Sequence, residues 1–307
     1  MKKHDGFTLF ELLAVILILS VVALSSLAII PEQDFQLRFE DTRNRVIAIR
    51  RAVLGKNAVV NQSIALSGFV VDNGALPGAM PELTAKPSNA LSHGSLSPYF
   101  SSIVGVPEAV VICVPISDCR LTEAQEQLLK GHRQQYLQND IGVNKFLDGW
   151  RNGKNDTVNF GWSFSGGSRM RVASLGLDNT LGNPSGLSVY NEDMAMNDIN
   201  ELDWRVPVGT LPVHIVNNHT AAVKASLLIF VNDPVQGETW LRVDTNEIAA
   251  GVTGDAFFTA TNVPMGRHLI VITAGTGLFG ASNTRLTRVI DLTPGLQLPN
   301  NIEFTVN

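Results

Sequence analysis

From Leu12 to Ile30 the chain reads LLAVILILSVVALSSLAII, with no charge and almost no polar position. Counted from Phe7, this apolar run is long enough to cross a hydrocarbon core of ~30 Å as a helix. Lys2 and Lys3 precede it, and basic residues hold that end of a span in the cytoplasm. A cleaved secretory signal fits poorly, because the run exceeds the ~7–15 apolar residues of such signals and no small-x-small site closes it. Pro31-Glu32 ends the run, and beyond it the helix resumes. Phe35, Phe39, Thr42, Val46, Ile49 and Val53 recur at alternating steps of four and three, the stripe of a single helix face. Gly55 is the expected stop. Arg38, Arg43, Arg45, Arg50 and Arg51 fall on other faces and read as a solvated surface; acidic neighbours and the absence of an aromatic stacking set argue against a nucleic-acid patch.

The middle of the chain, Lys56 to Val206, is rich in Gly, Ser, Asn and Pro with short apolar runs between. Thr122 to Gln138 reads as a helix, with Thr122 and Gln125 as a capping box and Leu128, Leu129, Tyr136 and Leu137 as apolar positions. Phe160–Phe164 and Met170–Leu175 read as paired strands. Pro207-Val208-Gly209-Thr210 looks like a boundary. The remaining residues predict seven short strands: Val213–Val216, Ser226–Val231, Trp240–Val243, Ala256–Ala260, Leu269–Thr273, Leu286–Leu292 and Ile302–Val306. That spacing suggests a β-sandwich.

Composition narrows the chemistry. With 307 residues, the prior is two domains or one large domain plus an appendage. A formal charge of −5 is no footprint for a phosphate backbone. Two cysteines, Cys113 and Cys119, exclude a disulfide-framework miniprotein and a four-cysteine zinc module. They flank a proline-containing loop and are not in Cys-x-x-Cys redox spacing. There is no Gly-x-Ser-x-Gly elbow, no His-Glu-x-x-His, no phosphate-binding glycine loop and no dinucleotide fingerprint. The six histidines are scattered; His214 and His219 bracket a turn and read as surface residues. The chain reads as a non-enzyme.

Glu11 is out of place inside the apolar helix, where a carboxylate is costly unless partnered. It either snorkels at an interface or has a specific partner. Its neighbourhood, Gly6-Phe7-Thr8-Leu9-Phe10-Glu11-Leu12-Leu13, resembles the prepilin signature of type IV pilins and type II secretion pseudopilins. The resemblance implies a leader of residues 1–6 cut after Gly6 by a membrane peptidase, and N-methylation of the new terminal Phe7. It implies a transmembrane helix over 7–30, a pilin-like head over 31–206 that includes the amphipathic half of the helix, and a further β-sandwich over 207–307. The fold class is α+β, a long helix packed on a small antiparallel sheet and followed by an all-β unit. Glu11 would pair with the Phe7 amine of an adjacent subunit and set the register of assembly.

Further stretches are similar to the major pseudopilin. Ser67–Pro77 looks like the segment after the long helix, with its Asn-Gly turn before a proline. Asp148-Gly149-Trp150-Arg151-Asn152-Gly153 resembles the element that opens the head sheet. Ser174–Asp178, with Asp198-Ile199 and Trp204, resembles the calcium loop that closes it, so Asp178, Asn179, Glu192, Asp193 and Asp198 are candidate calcium ligands, calcium taking six to eight oxygens. The segment between Asp178 and Asp198 is longer than the family loop, and an acidic surface loop is the competing reading. An extracytoplasmic location would let Cys113 and Cys119 form a small-loop disulfide; two buried free thiols are the alternative. Gly254–Phe258 and Asn262–His268 resemble transthyretin-like sandwich modules, which would project from a filament surface or crown its tip.

The expected function is a structural subunit, inserted singly in a bacterial inner membrane with its head periplasmic or extracellular. Its partners would be other pilin or pseudopilin subunits, the prepilin peptidase and methyltransferase, an inner-membrane assembly platform and the lipid bilayer, and not nucleic acid. A type II secretion pseudopilus is the favoured setting; the alternative is a minor type IV pilin acting as an adhesin through the C-terminal sandwich. The size of the chain favours a low-abundance subunit, and Glu11 argues against the tip pseudopilin class that lacks this carboxylate.

Overall fold

A computed structural model of the protein describes residues 9–55, 58–60, 63–88, 130–133, 135–153, 156–182, 189–209, 211–233, 237–258, 262–275, 284–295 and 302–307. One helix, α1 (Leu9–Leu54, 46 residues), dominates the first fifth of the chain. Its backbone runs through Pro31 without a break; the donor that proline lacks is one bond among many in so long a helix. Among the described residues no helix is long and apolar enough to cross a membrane. The described side chains of the apolar part run from 9 to 23, short of the ~20 residues a span needs. The expected span of 7–30 thus extends beyond them on both sides.

The second half of α1 behaves as its stripe predicts. Thr42, Val46, Ile49 and Val53 are buried, and Phe35 and Phe39 are half-buried. Gly55 ends the helix with φ of +79°, and its N–H donates to the Arg51 carbonyl. A Cβ here would lie 1.5 Å from the Ser67 carbonyl oxygen, so only glycine fits. A short hairpin, β1 (Ala58–Val60) with β2 (Ser63–Ala65), follows, then α2 (Phe69–Asn73), capped by Gly74 in the left-handed conformation, and α3 (Pro81–Thr84). The Asn-Gly turn noted in the sequence is therefore the end of α2.

The head sheet has three strands in the order β3 (Trp162–Ser165), β4 (Arg171–Ser174) and β5 (Met194–Ala195), all antiparallel. Both strands read from the sequence are present, each about a residue or two shorter. The helix expected over Thr122–Gln138 is not found in its described part, 130–133 and 135–138. There the backbone bonds go elsewhere: Gly131 N–H donates to Asp72 O, and the N–H groups of Tyr136 and Leu137 both donate to Leu83 O. Contacts across the chain have replaced the local ladder. Leu128, Leu129 and the capping box lie outside the described residues.

After α4 (Glu201–Trp204) comes β6 (Arg205–Pro207), which contains the 206/207 boundary and pairs with β11 (Asn262–Pro264). Each of the seven strands predicted beyond it overlaps an observed one, though the strand expected over Ala256–Ala260 lies earlier, at Thr253–Phe257, and residues 259 and 260 lie outside the described residues. The observed strands are β7 (Pro212–Asn217), β8 (Val223–Asp233), β9 (Gly237–Asp244), β10 (Thr253–Phe257), β12 (Gly266–Ala274), β13 (Thr284–Leu292) and β14 (Ile302–Val306). They form two sheets, β10-β7-β14 and β13-β12-β8-β9, with β14 parallel to β7 and every other pair antiparallel. Burial alternates along β7 and β14, as for sheets with one wet face. β12 does not alternate: nearly every residue is buried, because α2 of the head packs on this sheet. Head and C-terminal sheets thus share one hydrophobic core.

That junction holds an unusual basic set. Lys130 is 1% exposed and donates to the Val71 carbonyl at 2.7 Å; a Cβ on Gly266 would sit 2.8 Å from its Nζ. Burial pulls its pKa down to about 8, with the Asp72 charge opposing. His268 is fully buried and donates from Nε2 to Pro264 O. Burial, assisted by the Lys130 charge, lowers its pKa to about 3. Between pH 6.5 and 3 the unfolded chain therefore holds a proton that the folded chain refuses, and stability falls as pH drops through that window, by no more than about 5 kcal/mol. His268→Gln removes this titration. Calorimetric melting of the detergent-solubilised chain should show a shallower fall of Tm between pH 6.5 and 3 for the variant; parallel slopes would contradict the assignment.

Candidate functional site

The first two turns of α1 place Glu11 among side chains that the described residues leave exposed. Leu9 and Phe10 are more than 80% exposed, and every large apolar residue from Leu12 to Val22 is at least 45% exposed. Eleven such side chains on one segment form a patch far beyond what a soluble monomer leaves bare. Full burial of one is worth ~1.5–3 kcal/mol, so covering the segment is worth on the order of 10 kcal/mol or more. The cost of one carboxylate at mid-bilayer is ~2.5–3.5 kcal/mol on insertion scales. Insertion or packing of this helix therefore wins with Glu11 present, and the carboxylate acts on how the helix packs rather than on whether it does. Glu11 also lies in the first turn of the helix, where the macrodipole favours an anion. Gly6 and Phe7, the expected processing site, lie outside the described residues.

What anchors this segment to the head is a second constellation, built from the other half of α1 and the loop 139–153. Gly149 N–H donates to Thr42 Oγ1 at 2.9 Å, while Thr42 Oγ1 donates to Arg38 O at 2.8 Å. The loop backbone lies so close that a Cβ on Gly149 would be 2.1 Å from Arg38 O. Trp150 is buried against Phe35, ring centroids 5.7 Å apart, and Arg38 lies over its ring. Arg45 reaches across the chain with both terminal nitrogens, at 3.0 and 2.7 Å from the Asp140 carboxylate, and also donates to Leu147 O. Burial opposes ionisation of Asp140, but Arg45 and the Leu147 N–H outweigh it and hold its carboxyl below the usual range.

The solvated-face expectation therefore fails for three of the five arginines. Arg45 is half-buried in this pair, Arg38 covers Trp150, and Arg50 donates to the carbonyls of Asn197 and Asp198. Arg43 and Arg51 are exposed, as expected. No local signal marks Arg45 out, since Asp140 is 95 positions away.

The Trp150 element is tied in turn to the head sheet. Asp148 accepts from Ser174 Oγ at 2.6 Å and from the backbone and side chain of Asn152; Asn152 also donates to Gly176 O. Burial raises the Asp148 pKa against the pull of these bonds.

The expected calcium ligands do not converge. Asp198 is engaged by Arg171 at 2.8 Å, Asp193 accepts from Gly182 N–H at 2.7 Å, and Asp178 accepts from Thr180 N–H at 3.1 Å. Asn179 sits in the turn after β4 with φ of +56°, and Glu192 is half-buried. Among the described residues, no group of three or more His, Cys, Asp or Glu is placed to hold a metal. Cys113 and Cys119 lie outside the described residues. His214 is bonded to Asp255 at 2.8 Å and His219 belongs to its own turn, so the two make no joint site.

Gly149→Ala should destabilise the chain by about 2 kcal/mol or more, by forcing the loop off α1. Thermal melting checks this; an unchanged Tm would show that the loop does not dock on the helix as described.

No curated protein and no solved structure matches the chain. Residues 1–27 match the family model of the prokaryotic N-terminal methylation motif. Gly6, Phe7 and Glu11 all fall within it, and the chain thus carries a prokaryotic N-terminal methylation motif.

Proposed function

We propose that the chain is a pilin-like structural subunit, held in the inner membrane by α1 and assembled through it into a type II secretion pseudopilus or a related filament. The observation that carries this reading is the methylation motif running directly into one continuous helix, bare along its first part and locked to a head along its second. Bare helix is what lipid, and then neighbouring subunits, would cover. The prepilin peptidase and methyltransferase would act at Gly6 and Phe7, and an inner-membrane platform would move subunits from bilayer to filament. Glu11 and the Phe7 amine of a neighbour would pair in the dry bundle, where an unmatched charge is excluded.

A minor pilin with an adhesive C-terminal unit is the second reading. It draws on the outer face of β10-β7-β14, where Phe257 is 45% exposed beside Pro212. Loss of enzyme secretion on deletion of the gene supports the secretion role, whereas loss of surface attachment with secretion intact supports adhesion.

Glu11→Ala should leave membrane insertion intact and lower filament yield about tenfold or more, measured by shearing and sedimentation against membrane-fraction controls. Normal yield from the variant would overturn the assembly role of Glu11.

A further inference from the structure

Among the described residues Lys130 is the only lysine that is fully buried, and its surroundings compensate it poorly. Its amine can donate three hydrogen bonds and makes one among the described residues, to the Val71 carbonyl of α2. Room for it at the start of β12 exists only because residue 266 is glycine. The acids that act on it are engaged elsewhere. Asp72 of α2 accepts from Arg133 Nε at 2.8 Å and from the Tyr136 hydroxyl at 3.0 Å. Asp291 of β13 is held by Arg267 of β12 at 2.9 Å. His268 of β12, buried nearby, supplies no anion.

Lys130 is therefore at ease in the seam only as a neutral amine. Protonated, it is a desolvated cation with one acceptor, and such a charge either gives up its proton or draws its segment out to water. The segment can leave without breaking a strand. Its backbone is held by Gly131 N–H on Asp72 O and by the Tyr136 and Leu137 N–H groups on Leu83 O. β12 has its own pairing with β8 and β13.

We propose that Lys130 makes this seam a pH-sensitive latch: its segment is docked between α2 and β12 while the amine is neutral and loosens when the amine takes a proton. Burial, assisted by the Arg267 charge, lowers the pKa of the amine from 10.5 to about 8 against the pull of Asp72 and Asp291. The released segment binds the proton more readily than the docked one. Docking is thus strongest at high pH, weakens as pH falls from 10.5 to 8, and is level below that. The other groups of the seam do not titrate there: burial lowers His132 and His268 and raises Tyr136. The latch is independent of whether the chain enters a filament.

Hydrogen exchange read by mass spectrometry on the full chain in detergent tests it, each rate divided by the intrinsic exchange rate at the same pH. Protection of the peptide 130–137 should fall about twentyfold between pH 9.5 and 7.5, while that of the peptide 267–273 in β12 stays level. Lys130→Met should abolish the fall. Lys130→Arg, charged throughout, should leave the segment weakly protected at both values. An equal fall in 267–273 would mean that the whole unit loosens together and would overturn the latch. Level protection of 130–137 in the parent chain, or an undiminished fall in Lys130→Met, would overturn it as well. Should Lys130→Met not fold, the parent chain and Lys130→Arg decide, since a fall that survives in Lys130→Arg assigns the titration to another group.

Discussion

The lock between the C-terminal half of α1 and the loop 139–153 is the constraint on which the rest of the molecule depends. A helix of 46 residues that leaves eleven large apolar side chains uncovered cannot be held upright by its own propensity. It is held by the other half, where Thr42 receives the Gly149 backbone, Arg45 clasps Asp140, and Trp150 fills the space beside Phe35. Removing one partner of the Arg45–Asp140 pair would cost more than the pair contributes, because the survivor would stay half-buried and charged. Force on the bare segment is thus transmitted to the head through backbone contact and charge-assisted bonds, not through a flexible linker.

The same loop ties the helix to the head sheet. Asp148 collects Ser174 and Asn152, and Asn152 reaches Gly176, so the first turn after β4 and the loop on α1 are bonded together. On its other side the head is closed by the C-terminal sheets. β12 is buried along nearly its whole length, with α2 packed on its sheet. Lys130 spans this seam by donating to Val71 O, at the cost of an amine held out of water. The C-terminal unit is accordingly part of the head's core and not a pendant.

Much of this was legible in residues 1–55 and 207–307, for a physical reason. There the periodicity is set by burial of one stripe or face: the steps of four and three from Phe35 to Val53, and the short apolar runs between turn residues from Val213 onward. Burial patterns survive in sequence because they repeat. The middle of the chain was less legible. The Tyr136 and Leu137 amides chose Leu83 O over a helical ladder, and nothing local to 122–138 announces a partner fifty positions upstream. Arg45 reads as one more solvated arginine until Asp140 is brought beside it. The candidate calcium acids sit close in sequence, yet Asp198 is claimed by Arg171 and Asp193 by a backbone amide. Sequence proximity supplies ligands of the right type; only the fold decides who holds them.

The central claim is that the apolar half of α1 is a processed assembly helix. Its most direct test is the intact mass, with the mass of the N-terminal peptide, of chain extracted from native membranes. The account predicts a chain beginning at Phe7 and bearing one added methyl group. A chain that still begins at Met1, or one cut near Pro31, would contradict it.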